Sequence, residues 1–276
     1  MDLYKRVSYE LSRTLTLRYS SSFGLSSRLF SSSVQQDIYA LYGLVRVADE
    51  IVDSYPGADR QALLDNLEAE TYAAIQRGYS TNPIVHAFAL TAAHYGIDKD
   101  LIAPFFKSMR MDLTPLDYTD SGYSTYIYGS AEVIGLMCLK IFCQGNNNQY
   151  DDLVAGARGL GAAYQKVNFL RDIASDYTDR GRVYFPGVVY DTFNDDDKQT
   201  VIASIKKDLT AAKPSLAKLP ANSRAAVMLS VMYYRQLLAR LEKASVTDIK
   251  TRRIRINAVE KLWLFVIAVV RYKVAR

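Results

Sequence analysis

Apolar residues recur at the period of an α-helix over ten stretches of this chain, approximately 2 to 19, 34 to 54, 60 to 78, 82 to 95, 98 to 112, 121 to 144, 149 to 178, 195 to 213, 221 to 244 and 252 to 273. Strand-like alternation is rare, and only 14 glycines and 7 prolines interrupt the 276 residues. The expected fold class is therefore all-α. Hydrophobic residues make up 49% of the chain, enough for a sizeable core, and no repeat or low-complexity linker divides it. Residues 1–276 read as a single domain.

Two of the helical stretches carry an aspartate pair, Asp49/Asp53 and Asp172/Asp176. Four-residue spacing stacks both carboxylates of a pair on one helix face. Tyr42, Arg46, Asp49 and Asp53 fall within a stripe about 60° wide, and Gln165, Asn168, Asp172 and Asp176 within about 80°. Like charges so placed destabilise a helix, far more when buried, and a cation removes the penalty. Oxygen ligands without His or Cys favour a hard ion, and Mg²⁺ usually completes its shell with water and phosphate oxygens. One such pair is commonly a solvated acidic face. Two pairs, each flanked by polar partners and apolar residues, point to a platform for metal-bound phosphate.

Other chemistries find little support. Cys138 and Cys143 lie in an apolar stretch at neither a zinc nor a disulfide spacing and read as buried thiols. His86 and His94 are the only histidines, no nucleophile–histidine–acid constellation surrounds them, and both are expected at the surface. A net charge of +5 suits an anionic partner, but one dense basic group, Lys250 to Arg255, without a recognisable nucleic-acid module argues against nucleic acid. The N-terminal segment lacks a secretory pattern, so a cytoplasmic location is expected. Leu262 to Val270 is too short to span a bilayer and reads as a core helix.

Ser20 to Ser33 reads as a serine-rich loop entering the first acidic helix, and residues 179–194 as an ordered non-helical flap that hangs Arg180 and Arg182 beside Asp176. Gly156, Gly159 and Gly161 lack the context of a dinucleotide loop and suit close helix packing. Tyrosines 123, 126 and 128 precede small residues, a pattern that serves core packing or the steadying of a carbocation.

The segments RVADEIVD (46–53) and YQKVNFLRDIASDYTDRGRVYFP (164–186) resemble the two signatures of the squalene and phytoene synthase family. The likeness extends through SSSF (20–23), YALYGLVR (39–46), YIYGSAEVIGLM (126–137) and MYYRQLL (232–238), nearly the full length. It implies an isoprenoid synthase fold, a single helical bundle around a central apolar cavity, and head-to-head joining of two allylic prenyl diphosphates. By position, Asp49, Asp53, Asn168, Asp172 and Asp176 would hold Mg²⁺, with Mn²⁺ as the alternative ion. Arg46, Arg171 and Arg182 would neutralise phosphate oxygens. Ser20, Ser22, Tyr42, Gln165 and Tyr234 would line the polar end, Lys261 would add positive charge, and Tyr128 would face the reacting carbons.

The resemblance favours geranylgeranyl diphosphate as substrate and phytoene as product, formed through a cyclopropyl diphosphate in carotenoid biosynthesis. No dinucleotide signature is present, so NADPH is not expected. The alternatives are a dehydrosqualene or squalene synthase using farnesyl diphosphate, a terpene cyclase, which the order of the motifs opposes, and a non-catalytic helical protein that binds lipid. Gly24, Ser26 and Ser27 fit a longer tail, whereas Ser130, Ala131 and Glu132 depart from the family's frequent Ala-Gly pair. An apolar product implies peripheral contact with the inner face of the membrane. Oligomeric state is not legible.

Overall fold

The computed structural model describes residues 2–114 and 120–274. Its α-helices run Leu3–Tyr19 (α1), Ser21–Ser26 (α2), Ser32–Asp53 (α3), Arg60–Arg77 (α4), Pro83–Tyr95 (α5), Lys99–Met111 (α6), Asp120–Ile127 (α7), Val133–Cys143 (α8), Asn147–Arg180 (α9), Asp195–Lys218 (α10), Arg224–Lys243 (α11), Val246–Thr251 (α12) and Ala258–Val269 (α13). No strand occurs among the described residues. Local chemistry sets the ends. Asn82 accepts from the Ile84 amide at 3.0 Å with Pro83 in the first turn, and Asn194/Asp197 and Asn257/Glu260 form reciprocal capping boxes on α10 and α13.

One connected apolar core joins α3, α4, α5, α6, α8, α9, α10 and α11, with Phe88, Phe105 and Phe106 among its fully buried side chains. Helix α9 runs through its centre against α8, α10 and α11. The glycines on α9 allow this: a Cβ on Gly156 would lie 2.2 Å from Ser215 Cβ, and one on Gly161 would lie 2.7 Å from the Ala131 carbonyl oxygen. The expectation of close packing there is met. The upper part of α3 is stapled to α1 and α5 by the buried Asp37 carboxylate, which accepts from Tyr9 (3.3 Å), Thr91 (3.0 Å) and Tyr95 (3.1 Å) hydroxyls. A buried acid with all its oxygens engaged fixes helices against one another.

Between α7 and α8 the helix widens into a π-helical turn, Tyr128–Glu132. The backbone of α6 abuts it, so a Cβ on Gly129 would fall 2.1 Å from both the Pro104 carbonyl oxygen and Ser108 Oγ. A carbonyl cannot rotate away. Gly129→Ala is therefore expected to cost about 1–3 kcal/mol of stability, read as a lower urea midpoint at unchanged slope.

Several sequence expectations need correction. Ser20–Ser33 is not a plain loop, because Ser20 Oγ accepts from the Phe23 amide at 3.1 Å and starts α2. The last helix begins at Ala258, six residues later than expected, at its capping box, and α12 was not anticipated. His86 is buried rather than superficial: its Nδ1 accepts from the Ser80 amide at 3.3 Å, and its ring lies against Tyr4 and Tyr79. Burial holds its pKa below the ordinary value. Leu262 to Val270 is no core helix, since Leu262, Trp263, Val266 and Val270 are exposed and only Ala268 of α13 is fully buried. Among the described residues, Asp120–Cys143 is the one helical run long and apolar enough to cross a bilayer, and it packs against α6 and α9 with over half of its apolar window buried. Cys138 and Cys143 are free thiols.

Candidate active site

The C-terminal end of α3 and the C-terminal end of α9 meet, and an arginine bridges them. Arg180 Nη1 lies 2.9 Å from Asp176 Oδ1, and its Nε lies 3.4 Å from Asp53 Oδ1. Helix α9 stops at Gly181, whose φ of +65° is open to glycine at little cost and turns the chain back over the helix end. That turn carries Arg182 to 3.5 Å from Asp53 and 3.3 Å from Asp112. The flap expected after the second acidic helix is thus ordered by carboxylates from three helix ends.

Asp112 escaped the sequence reading. It caps the end of α6, is buried, and accepts from the Tyr126 hydroxyl at 2.7 Å and the Tyr184 hydroxyl at 3.1 Å. Its carbonyl accepts from Arg182 Nη2. Its only sequence signal is its place at the end of a helical pattern, which a lone acid shares with many surface caps.

The carboxylates are crowded. Burial raises Asp49 to about 7, with Asp53 and Asp112 adding repulsion against the relief given by Arg46. Burial likewise raises Asp176 to about 6, with Asp172 and Asp53 adding to it, and raises Asp112 to about 6 against the pull of Arg182. All-oxygen donors strained in this way suit a hard divalent cation. Among the described residues no three of these acids yet converge closely enough to share one ion, because arginines stand between them.

Basic side chains gather around Asp172 and near Ser21. Asp172 is flanked by Arg171 (Nε–Oδ1 2.9 Å) and by Arg253 (Nε–Oδ1 2.7 Å), the latter a contact across 81 residues that no local motif foretells. Lys261 Nζ donates to Ser21 Oγ at 2.8 Å, and desolvation with Arg255 and Arg171 nearby holds its pKa below the ordinary value. The Tyr234 hydroxyl donates to Asn168 Oδ1 at 3.4 Å, beside Arg171, and its ring stacks on Tyr164 at 3.7 Å. Tyr42 lies near Ser20 and stacks on Phe23 at 5.1 Å. Ser22 and Gln165 are half-buried on α2 and α9, Gln165 one turn before Asn168.

Arg46 and Tyr128 have further partners. Arg46 is engaged by Glu50 and Asp49 (3.8 Å), with its guanidinium 4.4 Å over the Tyr19 ring, so an anion must compete for it. Tyr128 packs on the core beneath the Arg158 guanidinium, 5.3 Å from its ring, and Arg158 precedes Asp172 by 14 residues of α9, about 21 Å of helix. Tyr126 is the tyrosine that this segment delivers to the carboxylates, because two residues on a helix point to opposite sides.

Asp49 on α3, Cys138 on α8, Tyr164 on α9 and Tyr234 on α11 are half-buried between the helices. Gly24, Ser26 and Ser27 are closely packed. A Cβ on Gly24 would meet Leu17 of α1 at 3.3 Å, and Ser26 and Ser27 are buried with their hydroxyls on the Phe23 and Gly24 carbonyls.

Two aspartate-bearing helix ends meeting among arginines in an all-α fold fit an enzyme of the prenyltransferase type, the class to which the family and relatives below belong. The chain belongs to the squalene/phytoene synthase family, whose sequence model matches residues 16–260. It is 28% identical to a phytoene synthase of Arthrospira platensis, over 97% of this chain and 94% of that one, and 28% identical to the 15-cis-phytoene synthase of Synechococcus elongatus, over 96% and 93%. Its fold is similar to a dehydrosqualene synthase crystallised with a ligand (TM-score 0.82, 20% identity, 98% of both chains) and to a squalene synthase of Alicyclobacillus acidocaldarius (TM-score 0.77, 20% identity, 88% and 96%).

Proposed function

We propose that this chain, acting as one catalytic unit, joins two geranylgeranyl diphosphates head to head to phytoene, through a cyclopropyl (prephytoene) diphosphate, with release of diphosphate. The meeting of the two acidic helix ends across Arg180 carries the reading, because it brings both carboxylate sets to one point. Asp49, Asp53, Asn168, Asp172 and Asp176 would hold Mg²⁺, which supplies Lewis-acid neutralisation of diphosphate oxygens when bound. Arg171, Arg182, Arg253 and Lys261 would add charge for the leaving diphosphate. Tyr234 and Asn168, hydrogen-bonded to one another, orient the head group. Apolar walls hold two long tails so that the reacting carbons approach within about 3.5 Å. The relatives named phytoene synthase support the C20 substrate, and a cytoplasmic protein in contact with the inner face of the membrane suits an apolar product.

Incubation with C15 or C20 diphosphate and Mg²⁺, followed by chromatography and mass measurement, tests this. A C40 triene from the C20 substrate is expected. A C30 product alone would move the chain to dehydrosqualene synthesis, and no hydrocarbon from either would refute coupling.

Metal dependence has a pH signature. Burial holds Asp49 near about 7 against an unfolded value of 3.8, so between these the folded protein binds more protons. Without metal, its contribution to stability therefore falls as pH rises through that window and stays low above it. Metal binds the ionised form, so the rise in Tm given by Mg²⁺ is expected to be larger at about pH 8 than at about pH 5. Equal increments at both would place the ion elsewhere.

A further inference from the structure

The net charge of the whole chain is +5, yet residues 250–276 hold eight of its basic residues and a single acid, Glu260, a surplus of seven. Everything before them therefore carries a net −2. The same segment includes α13, and its exposed residues are apolar: Val259 (77%), Leu262 (59%), Trp263 (65%), Val266 (43%) and Val270 (58%). At 100° per residue these five fall within a stripe about 100° wide. Cations flank it, with Arg252, Arg253 and Arg255 exposed before the helix and Arg271 exposed after it. An apolar ridge bearing an aromatic residue between basic flanks matches the chemistry of a helix lying in a lipid–water interface.

We propose that α13 docks this protein on an anionic lipid bilayer, its Val259–Val270 ridge entering the acyl boundary and the surrounding cations meeting lipid phosphates. The location suits the chemistry. Helix α13 packs on α2 and α11, Lys261 on its inner side bonds Ser21, and Arg253 just before it pairs with Asp172, so the docked face adjoins the mouth of the site. The inference deepens the membrane contact proposed above, but it is read without substrate or metal, so its failure leaves the coupling reaction standing.

Trp263 is the only tryptophan of the chain, so its emission reports this face directly. With phosphatidylglycerol-containing vesicles the emission is expected to move to shorter wavelength and the protein to co-sediment, both weakening as salt is raised. Pure phosphatidylcholine vesicles should bind less. Leu262→Ser/Val266→Ser keeps the reporter and should lower partitioning about tenfold or more, while turnover of detergent-dispersed substrate is retained. Emission unmoved by anionic vesicles would overturn the proposal. So would a shift that appears with protein concentration alone and tracks a doubled sedimenting mass, which would make the ridge a contact between two copies of this chain.

Discussion

Asp49→Asn is expected to reduce turnover by about 10³-fold or more, from the loss of charge stabilisation at the departing diphosphate, while the metal-free protein melts no lower than the parent. Asp49 is half-buried, is pushed up to about 7 by burial, and is repelled by Asp53 and Asp112. Removing its charge relieves a conflict that the fold carries for its chemistry. Asp176→Asn should behave similarly, tempered by loss of its 2.9 Å partner Arg180. Asp172→Asn should differ, because Arg171 and Arg253 both rest on that carboxylate and would be left facing one another. Product assays beside thermal melts with and without Mg²⁺ check the series. A parent-like rate in Asp49→Asn would remove α3 from the site, and a large loss of stability would make it a structural acid.

Asp112→Ala is expected to destabilise the protein by about 3 kcal/mol, because Arg182 loses its more buried carboxylate partner, with Asp53 at 3.5 Å remaining beside it. The two side chains are 10% and 6% exposed, so solvent cannot take over the lost partner of Arg182, and the Tyr126 and Tyr184 hydroxyls also lose their acceptor. Asp112→Asn keeps an acceptor for the tyrosines and should lose less. Urea denaturation of both variants distinguishes the cases. A loss below about 1 kcal/mol in the alanine variant would mean that water reaches the flap root.

How far the sequence could be read follows from what makes each feature local. Helix periodicity and the i, i+4 carboxylates are properties of single segments, so the all-α class and Asp49, Asp53, Asp172 and Asp176 were legible before any contact was known. The flap after α9 announced itself through Gly181 and Pro186. Asp112, Ser21 and Arg253 did not, because each acquires meaning from a partner 70, 240 or 81 residues away. Tyr126 and Tyr128 were separable only once the π-helical turn fixed which of them faces the carboxylates. The apolar run in α13 was misread for the opposite reason. Composition reports that a helix is apolar but not which side the bundle leaves uncovered.

The crystal structure of the protein with Mg²⁺ and a C20 thiodiphosphate that cannot ionise addresses the central claim most directly. Divalent ions should appear between the α3 and α9 carboxylates, with Arg180 drawn off Asp53 and Asp176, Arg253 turned toward phosphate and the tail running between the helices past Cys138. Arginine–carboxylate pairs left intact, with the ligand bound elsewhere, would contradict it.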